Sequence, residues 1–540
     1  MAITIGPVLG ISNRANSQHI RDGLLSYGEN IDFSSGTIKP IRTDRLLSPA
    51  TGNTIIAADC CLDAYNECVK IARYSSDCEF KVTSGLTGIA YPVIANNESF
   101  CAGDYTRLDW PCDIPAPTVT YNTVDQAARN SVTKSFVYTF VDSLGFESQP
   151  SLPSPVTVLS FYAGATISGF QALAAEYRVQ RIRIYALFAG RSGAVGGSAD
   201  SNDEYLLVQT IPVSQLMTGY APSVNPPMEA LTTDGLQPVP NDGTDFWDFE
   251  TNQLAFSSNG VLRFTEPFNP TLAPVKYSYK PKEGLIRIAA TQKFVYLLTC
   301  GQPEVLESKH ACDDTMMRNS SIINQPFPII GRHSASVYED SVVYASTGGL
   351  VHISGVNARY ITDSIFTQEQ WDTLQPHTMK TAYYDGYLYC STDVTCFRIE
   401  MAGGVKSGRA EAFSYLSIRP TAWYATTDDR LLYVDANGIH ELGQGSGYKT
   451  YTARTKEYCS PNQTVSSSMR IVLECDGEVT ITQSVGDGCH NNKDKSVTVK
   501  SSGVKRLPKR RGLCESFTFS GTAEVVSAHF GSSTASIVGR

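Results

Sequence analysis

A strand-turn-strand pattern recurs five times in the second half of the chain. The central apolar residues of the copies are Leu254, Val295, Val343, Leu388 and Leu432, at spacings of 41, 48, 45 and 44 residues. The copy "DSVVYASTGGLVHIS" shows the type: an apolar run, a Gly-containing corner and a second apolar run. A hairpin that recurs every ~40–50 residues has the spacing of β-propeller blades. We therefore predict a propeller of about five or six blades, in which each repeat is an inner hairpin facing the central axis. The alternative is an ordinary stack of antiparallel sheets without a closed ring.

A sixth blade requires a further hairpin. The segment "RIVLECDGEVTITQS", residues 470–484, is a weaker candidate with Asp476-Gly477 at its turn. Elsewhere, short runs rich in Val, Ile, Tyr, Phe and Thr are cut by turn residues, which is typical of a mainly β protein. One helix is predicted in "FTQEQWDTLQP", residues 366–376, where Thr367 caps the first turn and Pro376 ends it.

The segment before the repeats has a different pattern. Strands are predicted in "SFVYTFVDSLGFESQPSLPSPVTV", residues 135–158, and in "RIRIYALFAG" and "EYLLVQTIPVS" further along. Several strands within roughly 100 residues are typical of a two-sheet sandwich of the fibronectin or immunoglobulin type, inserted in the propeller or preceding it.

The length of 540 residues also favours several domains, because a single core seldom exceeds about 250–300 residues. We predict four segments, which are 1–115, a β-rich N-terminal part of the propeller or of a platform; 116–225, the sandwich; 226–465, the blade repeats; and 466–540, C-terminal strands that close the propeller or form a small β domain.

The charge balance restricts the partners. The chain has 44 basic and 53 acidic residues, a net charge of -9, which argues against a surface that binds phosphate backbones or anionic lipid tightly. The N-terminal residues lack the pattern of a secretory signal, and no apolar run is long enough to suggest a membrane span. We expect a folded, soluble protein, since 42% of the residues are hydrophobic and 18% are charged.

The 14 cysteines do not form a recognisable framework. Six lie early, without a C-x-x-C pair or a neighbouring histidine at zinc-like spacing: Cys60, Cys61, Cys68, Cys78, Cys101 and Cys112. We predict reduced cysteines that act as small hydrophobic residues, and leave open one or two disulfides within the early group.

The sequence predicts no catalytic, cofactor-binding or metal-binding residue. The eight histidines form no H-E-x-x-H motif, and no G-x-S-x-G motif is present. The closest carboxylate group is Asp245, Asp248 and Glu250 in "TDFWDFE", where the aromatic neighbours favour a strand packed on one face with its acids outside. The basic stretch Lys505 to Gly512 is interpreted as a solvated turn or a contact with an acidic neighbouring subunit rather than a phosphate site.

Several phrases resemble the nozzle, or tail tubular, proteins of short-tailed, podovirus-like bacteriophages. They are "DGLLSYGENIDFSSGTIKPIR" near the N-terminus, "FVYTFVDSLGFESQPSLPSP" in the predicted sandwich, "RIRIYALFAG" with "EYLLVQTIP", "YASTGGLVHISG" in the repeats, and the C-terminal "GVKRLPKRRGLCESFTFSGTAEVVSAHFGSS". The resemblance extends over most of the chain from about residue 20. It is carried by the order of the phrases rather than by any one of them.

The resemblance implies a structural virion protein of the tail and no enzymatic activity or cofactor. Such proteins form a homo-hexameric ring below the portal and its adaptor, retain the genome, let genomic DNA pass during ejection, and support tail fibres or spikes. Assembly in the bacterial host cytoplasm is expected, and the residues of the channel and its gate stay unknown. The alternative is a receptor- or carbohydrate-binding propeller of the tail, or one that cleaves carbohydrate.

Overall fold

The computed structural model describes residues 2–538 except 14–17, 50–53, 58–59, 64–70, 75–79, 87, 97, 100–101, 123–130, 161–162, 190–203, 222–228, 250–252, 308–319, 402–412, 427–428, 461–464, 475–476, 487–492 and 509–511. Within these residues the structure is nearly all β, built from many small antiparallel sheets. The prediction of a mainly β chain is confirmed.

The strands are numbered in chain order. Those before residue 110 are β1 (Ala2–Ile5), β2 (Gly10–Ile11), β3 (Leu24–Leu25), β4 (Tyr27–Glu29), β5 (Ile31–Asp32), β6 (Lys39–Pro40), β7 (Arg45–Pro49), β8 (Thr54–Ala57), β9 (Cys60–Asp63), β10 (Ile71–Tyr74), β11 (Phe80–Thr83), β12 (Val93–Asn96) and β13 (Thr106–Arg107). The next are β14 (Thr118–Tyr121), β15 (Ser131–Asp142), β16 (Thr157–Ser160), β17 (Ala165–Ser168), β18 (Val179–Ala189), β19 (Tyr205–Pro212) and β20 (Met217–Tyr220).

The repeat region and the C-terminal region follow. The strands of the repeat region are β21 (Thr244–Phe249), β22 (Gln253–Ser258), β23 (Val261–Phe264), β24 (Ser278–Tyr279), β25 (Leu285–Ala290), β26 (Phe294–Thr299), β27 (Glu304–Glu307), β28 (Ser320–Ile322), β29 (Ser336–Tyr338), β30 (Ser341–Ser346), β31 (Gly349–Ser354), β32 (Asn357–Tyr360), β33 (Lys380–Tyr384), β34 (Tyr387–Ser391), β35 (Cys396–Glu400), β36 (Phe413–Leu416), β37 (Ala422–Ala425), β38 (Leu431–Asp435) and β39 (Gly438–Glu441). The last strands are β40 (Tyr451–Arg454), β41 (Tyr458–Cys459), β42 (Ser468–Glu474), β43 (Val479–Gly486), β44 (Lys493–Val499), β45 (Gly503–Arg506), β46 (Cys514–Gly521) and β47 (Glu524–Gly531).

The helices are short. They are α1 (Gln368–Thr373) and α2 (Ala535–Val538), with 3-10 turns at Ala175–Tyr177, Val275–Tyr277 and Pro376–Thr378. Helix α1 is the one predicted from the sequence. The Thr367 hydroxyl accepts from the Gln370 amide, and the Gln370 side chain accepts from the Thr367 amide, which is a capping box. Trp371 is buried and donates from its indole N–H to the Ser346 carbonyl at 2.9 Å, so this helix is held by packing as well as by its cap.

The chain divides into two compact units. One contains residues 1–68, 296–307 and 320–540, and the other contains residues 69–295 and 308–319. The four segments predicted from the sequence describe smaller pieces, and their boundaries stay predictions.

The second unit contains two four-stranded sheets, β10-β11-β12-β13 and β21-β22-β23-β24. Their first strands, β10 and β21, pack together, and β21 in turn packs against β25. Val82 and Ile94 of one sheet share a hydrophobic core with Leu254 and Phe256 of the other. Each sheet is therefore a meander whose first strand lies nearest to the next sheet.

The same unit contains a pair of sheets with its own core. One sheet has the order β14-β17-β20 and the other β16-β15-β18-β19. Phe136, Tyr138 and Phe140 of β15 alternate inward and pack with Ile167 of β17 and Ile184 of β18. The period of two in this strand places every second side chain in the core.

The first unit contains three further sheets of the same kind. They are β29-β30-β31-β32, the group β33-β34-β35-β36, and β37-β38-β39-β7. First strands again pack against each other, β29 with β33 and β33 with β37. The third sheet is completed by β7, which comes from nearly 400 residues earlier in the chain and pairs antiparallel with β39. A further four-stranded sheet has the order β25-β26-β27-β28.

All five repeats form the predicted hairpins. Leu254, Val295, Val343, Leu388 and Leu432 lie on β22, β26, β30, β34 and β38, and all five side chains are buried. The hairpin occupies the second and third strands of each four-stranded sheet. The first strand of each sheet is the one that packs against neighbouring sheets, and whether the hairpin faces a central axis stays a prediction.

The C-terminal strands form two sheets around one core. One is β1-β47-β42-β45; the other is β40-β46-β43-β44, which continues through β4 into the β33–β36 group. The rings of Phe517 on β46 and Phe530 on β47 stack with centroids 3.7 Å apart. The predicted hairpin at residues 470–484 is wrong, because β42 pairs with β45 and β47 whereas β43 pairs with β44 and β46.

Candidate assembly surface

A proline-rich segment follows β15 and pairs with it in place of a regular strand. We call residues 147–155, "ESQPSLPSP", the strap. The amides of Ser148, Ser151 and Ser154 donate to the carbonyls of Phe140, Tyr138 and Phe136 at 2.8–2.9 Å. The three serine hydroxyls accept from the amides of the same three residues at 2.9–3.1 Å. Proline has no N–H, so the prolines stand at strap positions where no donor is needed.

Glu147 anchors the beginning of the strap. Its carboxylate accepts from Thr139 Oγ1 at 2.5 Å, from the Tyr185 hydroxyl at 2.6 Å and from Arg183 Nη1 at 2.8 Å. Burial raises the pKa of the Tyr185 hydroxyl, and the neighbouring Glu147 carboxylate raises it further, so this group remains a donor. Each polar residue of the phrase "ES-x-PS-x-PS" thus has a local structural role.

The outer side of the strap is apolar. Leu152, Val156 and Val158 are each 60–64% exposed, and we call them the strap patch. Val156 immediately precedes the edge strand β16 and Val158 lies on it. Large apolar side chains grouped at one edge of a small domain are typical of an interaction surface.

A second apolar group lies at the turn between β19 and β20. Val213, Leu216 and Met217 are 40–74% exposed, and we call them the turn patch. The strand β19 is the opposite edge of the sheet from β16, and β20 is an edge of the partner sheet. The two patches therefore belong to opposite edges of one pair of sheets that shares a hydrophobic core.

Two different patches on opposite edges suit head-to-tail contact between copies of the chain. A contact of this kind joins unlike surfaces, and it closes into a ring when the rotation between subunits divides a full turn. A two-fold dimer would instead use one self-complementary patch. These six residues were not predicted from the sequence; the alternation of Val156 and Val158 after a proline run was the available signal.

The carboxylates singled out from the sequence do not form a catalytic pair. Asp245 is buried and forms an ion pair with Arg287 of β25, while Asp248 is exposed and Glu250 lies outside the described residues. The expectation that the acids lie outside is wrong for Asp245. Its φ of 56° and the register shift between Thr244 and Trp247 break the alternation of β21, which turns its side chain inward.

The cysteines follow the prediction only in part. Cys390 and Cys396 are free and buried, as expected of small hydrophobic residues. Cys459 and Cys514, opposite each other on β41 and β46, form a disulfide that was not predicted from the sequence. Of the early group, Cys112 is free and exposed, and the side chains of the other five lie outside the described residues. Glu457 lies beside the bonded pair, but sulfurs in a disulfide are not metal ligands.

The basic stretch is described only in part. Lys505 and Arg506 belong to β45, and residues 509–511 lie outside the described part of the chain.

In the described ranges, no helix combines the length and the apolar character that crossing a membrane requires.

Comparison with known proteins identifies no family. No family model matches, and no curated protein matches. Solved structures with local likeness include Hsv2 of Kluyveromyces lactis, with a TM-score of 0.26 and 9% identity over 55% of this chain and 91% of that one. Another is the extracellular domain of the one-component system BT4673 from B. thetaiotaomicron, with a TM-score of 0.24 and 12% identity over 66% of this chain and 43% of that one. Likeness at this level carries no argument about function.

Proposed function

We propose that this protein is a structural component of a bacteriophage tail, a nozzle in which copies of the chain form a ring around the DNA channel. The observation that carries the proposal is the pair of unlike apolar patches on opposite edges of the two-sheet domain. Six copies, the number that the resemblance implies, would each present a strap patch to the turn patch of the next copy. The ring needs no catalytic group or cofactor.

The phage assignment rests on the order of the resembling phrases. Within the resembling phrase of the strap, the glutamate and the serines hold a proline-rich edge in place by hydrogen bonds. The net charge of -9 supports a channel role, because a surface that does not attract phosphate lets DNA slide. The portal adaptor and tail fibres or spikes are the partners that this role requires.

We further propose that the four-stranded sheets are propeller blades and that the two-sheet domain is a sandwich of the fibronectin or immunoglobulin type. Within the described residues, six four-stranded antiparallel groups support the higher of the two predicted blade counts: β10–β13, β21–β24, β25–β28, β29–β32, β33–β36, and β37–β39 with β7. A density map at a resolution that separates strands would count the blades directly.

Particle imaging tests the proposed function. We would purify the full chain, image it alone and mixed with the other tail components from its source, and classify particles by rotational symmetry. Sixfold rings with a central channel, alone or with the adaptor, are the expected result. Monomers or trimers that never join a tail would contradict the nozzle assignment.

A further inference from the structure

A polar cavity lies within the unit that contains the C-terminal sheets. Its volume is about 360 Å³, which is within the range of small-molecule sites. Its walls are the segment 39–44, the loop 442–448 and side chains from β5 and β33–β36, and we call it the loop pocket. None of these residues belongs to the strap patch or the turn patch.

The walls of the loop pocket are fixed by hydrogen bonds. Thr43 donates from its amide to the Gly447 carbonyl at 2.9 Å and accepts from the Gly445 amide at 2.7 Å. A Cβ at Gly445 would lie 2.2 Å from Thr43 Oγ1 and 2.8 Å from the Thr43 carbonyl oxygen, so only glycine permits this approach. The pocket is therefore formed before any ligand arrives.

The buried carboxylate of Asp44 stabilises the loop 442–448 by hydrogen bonds. Asp44 accepts from the Tyr433 hydroxyl at 2.6 Å, from Lys449 Nζ at 2.6 Å and from the Gly443 amide at 2.9 Å. These contacts use the acceptor capacity of Asp44 within the protein. Asp44 thus supports the wall and is not itself a ligand-binding group.

A second polar group lies on the opposite wall. Arg398 is buried, donates to the Ile31 carbonyl at 3.1 Å, and lies 3.6 Å from Asp32 Oδ1. The Tyr387 hydroxyl donates to the same Asp32 oxygen at 3.3 Å, and the guanidinium of Arg398 lies over the Tyr387 ring at 4.3 Å. These contacts, together with the Ser34 amide that donates to the same oxygen at 3.0 Å, fix Asp32 at the cavity wall.

Four polar side chains of the pocket have no internal partner. Lys39, Arg42, Asp385 and Gln444 make no side-chain hydrogen bond or ion pair with any part of the chain that the structure describes. They offer two cationic donors, one anionic acceptor and one amide that both donates and accepts. Such groups are satisfied by water or by a ligand rich in hydroxyls.

Most of the carboxylates in the lining are paired within the protein. Asp44 pairs with Lys449, and Asp32 lies beside Arg398, which leaves Asp385 together with Lys39 and Arg42. A phosphate site would gather cations and a metal site would gather carboxylates. One acid with two cations fits neither pattern, which favours an uncharged ligand that both donates and accepts hydrogen bonds.

The pocket also has aromatic surface. Tyr384 and Tyr389 lie in its wall, and Tyr448 is an exposed residue at its rim. A tyrosine ring offers an apolar face to the C–H groups of a ligand while its hydroxyl stays in water. We propose that the loop pocket binds a neutral saccharide unit, with Arg42, Gln444 and Asp385 bonding its hydroxyls and Tyr448 covering one face. This binding is separate from ring formation.

Saturation-transfer NMR on the full chain tests this proposal. The probes are methyl glucoside, methyl galactoside, methyl mannoside, rhamnose and N-acetylglucosamine, with inorganic phosphate and calcium chloride as charged competitors. At least one neutral sugar should receive saturation and should not be displaced by phosphate or calcium. Arg42→Ala, Gln444→Ala and Tyr448→Ala should each weaken its binding, the first by about tenfold or more, since its hydrogen bond is charge-assisted.

The matched control is Arg506→Ala, which removes an exposed arginine of β45 outside the pocket. It should bind the sugar as the unchanged chain does. The three pocket side chains lack internal partners or lie at the rim, so their variants should fold, and thermal unfolding checks this. Absence of transfer to every neutral sugar, displacement by phosphate or calcium, or unchanged affinity in all three pocket variants would each overturn the proposal. None of these outcomes bears on whether the chain forms rings.

Discussion

The serines of the strap show how single residues decide whether a proline-rich segment can pair. Proline removes the donors that a strand needs, and a hydroxyl every third residue supplies acceptors for the amides of β15 that would otherwise be buried without partners. The spacing of these serines is visible in the sequence. Their partners are not, because the pairing depends on how the chain turns between Asp142 and Glu147.

Ser151→Ala should destabilise the two-sheet domain by about 1–3 kcal/mol, because the amide of Tyr138 loses its buried hydroxyl acceptor. Thermal unfolding followed by fluorescence should show a lower transition temperature. Ser501→Ala, at an exposed serine, is the matched control and should leave the transition unchanged. Equal transitions for both variants would mean that the strap hydroxyls contribute no stability.

Asp142 gives the turn before the strap a pH dependence. Burial raises its pKa to about 6, although the amides of Phe146, Leu144 and Gly145 act in the opposite direction. Because the folded state holds the proton more tightly than an unfolded carboxyl with a pKa of about 3.9, this contribution to stability is full below about pH 4 and is lost as the pH rises through about 6.

Asp142→Asn removes this titration. The unfolding temperature of the unchanged chain minus that of the variant should therefore fall between about pH 4 and pH 7. Differential scanning fluorimetry across this range measures it, with the exposed Asp393→Asn as the control that should follow the unchanged chain. Parallel curves for the unchanged chain and Asp142→Asn would show that the pKa of Asp142 is not raised.

At the scale of elements, local patterns predicted hairpins well where both strands are neighbours in their sheet. The five repeats and helix α1 formed as expected, because their turns and caps are encoded within about 15 residues. The segment 470–484 has the same local pattern, yet its two strands belong to different sheets. Competition from β46 and β47, whose phenylalanines form the core, decided the pairing there.

The disulfide Cys459–Cys514 ties β41 to β46 and closes a loop of 55 residues. Constraint of the unfolded chain by a loop of this length stabilises the fold by about 4 kcal/mol. Cys459→Ser should lower the unfolding temperature of the oxidised chain, and a reductant should lower it in the unchanged chain but not in this variant. Cys300→Ser, at a free exposed cysteine, should keep the full response to reductant. If a reductant still lowered the unfolding temperature of Cys459→Ser, the response would come from a disulfide other than Cys459–Cys514.

At the scale of the molecule, the assembly proposal depends on two unlike surfaces, and mixing variants can distinguish it from a two-fold contact. Val158→Asp damages the strap patch and Leu216→Asp damages the turn patch. Neither variant alone should form rings. Mixed, they should form open dimers, since one copy keeps an intact turn patch and the other an intact strap patch.

Analytical ultracentrifugation measures the species in each sample. Val504→Asp, at an exposed valine of β45 outside both patches, is the control and should still form rings. Rings from either single variant would show that its patch is not an interface. A mixture that stays monomeric would contradict head-to-tail contact.

The sequence by itself determined the class of the fold and its repeated unit, because alternation, turn residues and caps act within one hairpin or one helical turn. Leu254, Val295, Val343, Leu388 and Leu432 could be placed on buried strands for this reason. Only the tertiary structure decided which distant strands pair, such as β7 with β39, since closing a loop of nearly 400 residues depends on the whole core rather than on local preference. It also decided the surfaces: the strap patch, the turn patch and the loop pocket gather residues whose exposure and proximity follow from packing, which no local pattern in the chain records.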